Sequence, residues 1–331
     1  MSRCIASTLS RRAGLTLAAA AASTGLARPV TAQGRFPDRS IRMLLPFTPL
    51  GPTDLQMRAL CDLAAKRLGQ AVAIEHRIGA GGILGAQVLA ASAPADGYTL
   101  AQMPITVLRV PLLSGRPPFD PLTDFSWIIQ LSGYLFGVVV RADAPWQSFR
   151  AFLDDAKARR GKIIYGTPGA ATTPHIVMEQ IAARAEIAWV QVPFRGTSEN
   201  LEALLAGRLD AAVDASGWAP QVQDGRLRLL CTWGAARAKR FPDTPTLREV
   251  GFDIVATSPY GIAGPKGMTE GVVRVLHDAF KDALYDPAHV AVLDRFDMQI
   301  AYLNSEDYAT AVRRQYDEER ERVRHLGLRP S

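Results

Sequence analysis

Short apolar runs alternate with amphipathic segments along nearly the whole chain, and this alternation limits the folds open to it more than any other feature. IRMLLPF leads into residues 54–68, where Met57, Leu60, Ala64 and Leu68 recur at steps of three and four. AVAIE, the glycine turn GAGG, ILGAQVLAASA and YTLAQM follow. The rhythm then repeats through LFGVVV, SFRAFLDDAKARR, KIIYG, TPHIVMEQIAARA, WVQVPF, TSENLEALLAG and LDAAV. Strands that are apolar throughout, set between helices, predict mostly parallel sheets covered on both faces. The tail is different, with three helical stretches in succession, the last capped by Ser305 and carrying the solvated charge run DEERERVR.

Residues 1–32 read as a removable leader. Arg3, Arg11 and Arg12 precede an apolar run from Ala13 to Ala22, which closes on the small-residue pattern Val30-Thr31-Ala32. Export by the general or the twin-arginine route is expected, and with it a periplasmic location. The whole chain is +6, and the leader carries four arginines and no acid, so +2 remains. No basic stripe of a nucleic-acid binder is present. Cys4 leaves with the leader, and Cys61 and Cys231 fit two buried thiols better than a disulfide. The remaining chain exceeds one compact core, which predicts two lobes. We place the first lobe at 33–138 and 257–331 and the second at 139–256, with crossings near Val138–Val140 and Ile254–Ser258.

Two strand-to-helix turns stand out. The first, PFTPLGPTD at 46–54, is stiffened by prolines, with Thr53 expected as N-cap and Asp54 in the first turn. In the second, YGTPGAATTPHIV at 165–177, Gly166, Pro168 and Gly169 shape the turn. Thr167, Thr172 and Thr173 offer hydroxyls there, and Pro174 points to Thr173 as N-cap. The first N–H groups of a helix lack partners and sit at the positive end of its dipole, so such turns attract anions. Ordinary capped turns are the plainer alternative. His175 either hydrogen-bonds a carboxylate or braces the turn through a backbone carbonyl. Asp214, ending the strand in LDAAVDASGW, either selects an ammonium group or caps the next segment.

Other chemistries find no support. GAGGILG lacks the dinucleotide spacing, since the third glycine should fall at Leu84. No nucleophile elbow, phosphate loop or metal-spaced histidines occur. The chain is expected to be no enzyme and to need no cofactor or metal. The rival from another class, a secreted hydrolase or isomerase, would require a nucleophile–base pair inside a cleft.

The blocks FPDRSIRMLLPFTPLGPTD, EHRIGAGGILGAQVLAASAPADGYTL, YGTPGAATTPH, VPFRGTSENLEALLAGRLDAAVD and RFPDTPTLREVGF occur in this order. Together they resemble the Bug family, the periplasmic solute-binding receptors of tripartite tricarboxylate transporters. The resemblance covers Phe36 to the end. It implies a two-lobed Venus flytrap of the type II-like kind, in which a turn from each lobe grips a ligand carboxylate through N–H groups, hydroxyls and water. Carried over residue by residue, it implies ligand contacts from Phe47, Thr48, Leu50, Gly51, Pro52, Thr53 and Asp54, with Thr106 lining the cleft. Thr167, Gly169, Ala171, Thr172 and Thr173 form the second clamp, and Phe194, Arg195 and Gly196 lie at another strand end. Phe194 either stacks on a ligand ring or packs in the core.

The chain departs from the family pattern where Leu50 and Pro52 replace glycines, where Ala171-Thr172 replaces glycine-serine, and where His76 replaces asparagine. Leu50 adds bulk to the first loop and leads to the expectation of a more apolar or aromatic acid. The implied role is that of a monomeric receptor for a small organic acid, with membrane transport subunits or a sensor protein as partner.

Overall fold

The computed structural model describes residues 36–327; the leader expected at 1–32 lies outside the described residues. The first part of the chain runs β1 (Ile41–Leu45), α1 (Pro52–Leu68), β2 (Val72–His76), α2 (Leu84–Ser92), β3 (Thr99–Met103), α3 (Thr106–Leu112) and β4 (Phe125–Ser132). Then come β5 (Phe136–Arg141), α4 (Phe149–Ala158), β6 (Ile164–Thr167), α5 (Thr173–Ala185), β7 (Val190–Pro193), α6 (Thr197–Leu205), β8 (Ala211–Ala215), α7 (Ala219–Gln223) and β9 (Leu227–Thr232). The chain ends with β10 (Tyr260–Pro265), α8 (Glu270–Leu284), α9 (Pro287–Arg295), β11 (Ile300–Leu303) and α10 (Ser305–His325).

Two sheets result, ordered β11-β4-β10-β3-β1-β2 and β7-β6-β8-β5-β9. Both are mixed, with most strands of each running one way: β10 and β11 are reversed in the first and β5 in the second. β1 runs parallel to β2 and β3, and β6 runs parallel to β7 and β8. β10 opposes both β3 and β4, β11 opposes β4, and β5 opposes both β8 and β9. The opposed strands include those that carry the chain from sheet to sheet and back. A strand buried on both faces is apolar whichever way it runs, so its composition does not record its direction.

The first passage between sheets spans Gly133–Leu135, ahead of the expected Val138–Val140. Val138 already pairs with Val213 and Cys231 inside the second sheet. The return passage lies between β9 and β10 and includes Ile254–Ser258. The two passages are bonded to each other, with the Tyr134 N–H donating to the Thr257 carbonyl at 2.6 Å. A Cβ at Gly133 would lie 2.9 Å from that same oxygen, so the passages pack at a distance only glycine permits. After the return, α8 packs on α1 and β4, α9 on α1, and α10 on α3 and β4, all elements of the first sheet's side.

Three helix starts differ from expectation by one or two residues. Gly51 is the N-cap of α1 with Pro52 in its first turn, Thr172 that of α5, and Asn304 that of α10. Proline lacks the N–H that a first-turn residue would leave unpaired, so Pro52, not the Thr53 hydroxyl, sets the start of α1. At α10 the Asn304 side chain accepts the Asp307 N–H at 2.9 Å, the bond Ser305 was expected to provide. Neither Gly51 nor Thr172 caps its helix with a side chain.

Cys61 on α1 and Cys231 on β9 are buried free thiols, and burial pushes both well above the ordinary thiol pKa. Thiolates are the reactive species, so both cysteines are expected to resist a water-soluble disulfide reagent until the protein unfolds. Rapid reaction of the native protein would contradict this. Among the described residues, no helix is long and apolar enough to cross a membrane.

Candidate functional site

The carboxyl ends of β1, β3, β6 and β8 converge between the sheets around a cavity of about 40 Å³. Phe47, Thr53 and Thr106 reach it from the first sheet's side, and Thr172, Thr173 and Asp214 from the second. The two sides are in contact. The Ser198 hydroxyl donates to the Pro49 carbonyl at 3.4 Å, and a Cβ on Gly196 would stand 2.3 Å from Thr48 Oγ1. A Cβ on Gly81 would stand 2.6 Å from the Ala170 carbonyl oxygen. This is a closed arrangement.

Hydroxyl groups dominate the polar lining. Thr53 Oγ1 and the Tyr134 hydroxyl are 2.9 Å apart, and the Thr197 hydroxyl donates to Asp214 Oδ1 at 2.7 Å. Thr106 is buried, and its hydroxyl has no partner in the protein. An unpaired buried hydroxyl costs about 1–3 kcal/mol, so this one favours an oxygen-bearing guest.

Asp54 does not enter the cavity. Its Oδ2 accepts the Leu50 N–H at 2.9 Å and Arg58 Nε at 3.0 Å, and Oδ1 lies 2.9 Å from His76 Nε2. Burial alone would raise its pKa. The bonds from Arg58, Leu50 and His76 and the charge of Arg58 outweigh that and hold the carboxyl below the usual range. Asp54 therefore fixes the loop from behind, and His76 helps to hold Asp54. Leu50 takes a left-handed backbone (φ 66°) and is 75% exposed on the outer face. Its side chain does not line this cavity. Leu50, Gly51 and Pro52 line a neighbouring groove, together with Thr197, Ser198 and Gly217 from the second sheet's side.

The second turn is braced from within. Thr167 and Thr172 both donate to the Gly169 carbonyl, at 3.0 and 2.7 Å, and Thr167 accepts Gln191 Nε2 at 2.6 Å. His175 Nδ1 accepts the Ala171 N–H at 3.1 Å, so the ring braces a backbone N–H, not the carbonyl expected. Burial lowers its pKa, in keeping with a neutral acceptor. Phe194 packs against the core of the second sheet, and Arg195 is exposed and paired with Glu199. Thr167, Gly169, Ala171, His175, Phe194, Arg195 and Gly196 surround the cavity without lining it.

Asp214 is buried and accepts from Thr197, from Asn200 Nδ2 at 2.7 Å and from the Ala215 N–H at 2.8 Å. It neither caps a helix nor has an acceptor oxygen free of these donors. Burial pushes its carboxyl up to about 6, against the opposing pull of those three bonds. Between the ordinary carboxylate value of 3.8 and about 6, the folded protein holds a proton that the unfolded chain has lost. Stability should therefore decline as pH rises through that window, by about 3 kcal/mol from this residue. Urea unfolding at pH 4 and 7, compared between the wild type and Asp214→Ser, measures the contribution; equal pH slopes in the two would refute it.

A family model described as "Tripartite tricarboxylate transporter family receptor" matches residues 56–328. The chain belongs to this receptor family. Among its relatives, the "UPF0065 protein in gbd 5'region" of Cupriavidus necator is 44% identical over 96% of each chain. Protein BugT of Bordetella pertussis is 30% identical over 81% of this chain and 83% of its own. A solved structure described as a periplasmic transporter superposes with a TM-score of 0.84 at 30% identity, covering 89% of this chain and 99% of the other. MatC from Rhodopseudomonas palustris with bound malate gives a TM-score of 0.81 at 25% identity, covering 87% and 100%. The two-lobed fold of periplasmic binding proteins is thus the fold of this receptor.

Sequence reasoning missed a set of lining residues in the receptor. Tyr134 and Ser258 belong to the passages between sheets, Phe136 opens β5, and Ile105 precedes α3. The run LSGYLFG held the signal, since two glycines and two aromatics where one apolar strand gives way to the next suit a close crossing beside a pocket.

Proposed function

We propose that this chain is a periplasmic receptor that captures a small organic carboxylate between its lobes and delivers it to the membrane subunits of a tripartite transporter. The observation that carries this reading is the meeting at one cavity of Thr53, in the first turn of α1, with Thr172 and Thr173, at the start of α5, both helices lacking side-chain caps, beside the unpaired Thr106 hydroxyl. Two such termini facing one space favour a guest with negative charge. The malate held by MatC supports the same ligand class. Lobe boundaries near 33–138 with 257–331, and 139–256, suit this reading once the first passage is moved to Gly133–Leu135. The receptor acts as a monomer, exported by its leader, and performs no catalysis. The family description favours transport over the sensing or hydrolase alternatives.

Thermal unfolding of residues 33–331 against dicarboxylates, tricarboxylates, aromatic acids and amino acids tests it. A ligand at one hundred times its Kd adds about 2.7 kcal/mol, a rise of several degrees. Thr172→Ala removes the hydroxyl that ties the second turn to the Gly169 carbonyl, and should abolish the rise. No rise with any acid, after denaturing and refolding to strip bound ligand, would end this reading.

A further inference from the structure

A buried ion pair on the first lobe lies beside the cavity and reaches across to the second lobe. Arg109, on α3, and Glu319, on α10, are both buried and belong to elements packed on the first sheet. The guanidinium holds the carboxylate with two bonds, from Nε at 2.5 Å and Nη2 at 3.0 Å. Its remaining nitrogen crosses to the other lobe, where Nη1 donates to the Ala171 carbonyl at 3.2 Å and to Thr173 Oγ1 at 3.0 Å. Arg322 also contacts Glu319. A pair that served only to join α3 to α10 would not need two further bonds to the second lobe.

We propose that Arg109 is a positioning residue that latches the closed form and makes closure sensitive to the charge of the ligand. Its acceptors across the cleft are the residue before the α5 N-cap and the first residue of α5. A cation at a helix N-terminus opposes the dipole, so the latch holds less strongly, though it is still made, while the cavity holds no anion. An anion at the same terminus reverses that balance, and the latch strengthens as the lobes close on it. The contact also orients Thr173. Its oxygen accepts from Arg109, so the single hydroxyl proton is left to point elsewhere, and Thr173 lines the cavity. The site then presents a donor to an oxygen of the guest.

Removing one member of a buried pair strands the other charge, so the decisive variant replaces both with apolar groups, Arg109→Met with Glu319→Met. Small-angle scattering of the ligand-free protein should show a larger radius of gyration for this variant than for the wild type. Thr173→Val should shift the scattering the same way, and Thr173→Ser should restore it. Both variants matching the wild type would overturn the latch. A pair that only supports the fold would lower the unfolding temperature and leave the scattering unchanged.

The consequence for binding rests on the carboxylate reading and is measured separately, with malate as probe. The double variant should bind malate about tenfold or more weakly, as follows from losing two bonds to a charged donor. Wild-type protein that ignores malate would count against that ligand, while the scattering comparison would still decide the latch.

Discussion

Gly81→Val should leave both sheets folded and reduce ligand affinity by at least about a hundredfold, equivalent to about 2.7 kcal/mol. Gly81 lies in the turn after β2, at φ +68°, and faces the second clamp turn across the cleft. A Cβ there would stand 2.6 Å from the Ala170 carbonyl oxygen, which is backbone and has no rotamer to yield with. The clash exists only when the lobes meet, so opening relieves it. A left-handed backbone costs a side-chain-bearing residue about 1–2 kcal/mol wherever the lobes sit, which sets the modest loss of stability to expect. Thermal unfolding in the presence and absence of the best acid from the carboxylate panel separates the two effects. The variant should melt a few degrees low without ligand and show almost no rise with it. A rise equal to the wild type's would mean that closure does not bring Gly81 against Ala170.

Asp54→Ala should cost about 3 kcal/mol or more of stability, because bonds to a charged acceptor contribute about 1.5–3 kcal/mol each and three groups lose theirs. The Leu50 N–H, Arg58 and His76 all point at this carboxylate. Leu50 would then hold its left-handed conformation without the bond that now secures it, and the first clamp loop should loosen. Affinity for the acid should fall as well, since ordering the loop would be charged to binding. The wild-type pH profile carries the same residue's signature. The Asp54 carboxyl sits below its usual range in the folded protein, so its stabilisation is present above the unfolded value near 3.8 and is lost as pH falls through the folded value. Urea unfolding from pH 7 down to pH 3 should show a steeper acid decline for wild type than for Asp54→Ala. Parallel profiles would refute this role.

The alternation of strands and helices was legible because apolar runs and three- and four-residue steps survive in any fold that buries them. The sense of each strand was not. LFGVVV reads as a parallel core strand, yet β5 opposes both of its neighbours, and nothing in six apolar or small residues marks the difference. In the site, the two clamp turns stood out through their Gly, Pro and Thr content, which reflects backbone geometry. The side of the loop on which Leu50 emerges depends on the sign of one φ angle, which a leucine code does not announce. Arg109 escaped notice for a different reason. Its partner Glu319 lies 210 residues away, inside a charge run that reads as a solvated helix face. Tyr134 escaped for a similar reason, its hydroxyl meeting Thr53 from 81 residues downstream.

The bond between Tyr134 and Thr257 joins the two passages that connect the sheets. Tyr134 and Ser258, next to Thr257, also form part of the cavity wall. Were the lobes to turn about these passages, a guest against that wall would act next to the pivot, where a small movement is magnified at the rim. The close approach of Thr48 and Gly196 would then set how firmly the lobes shut, apart from the wall that meets the guest.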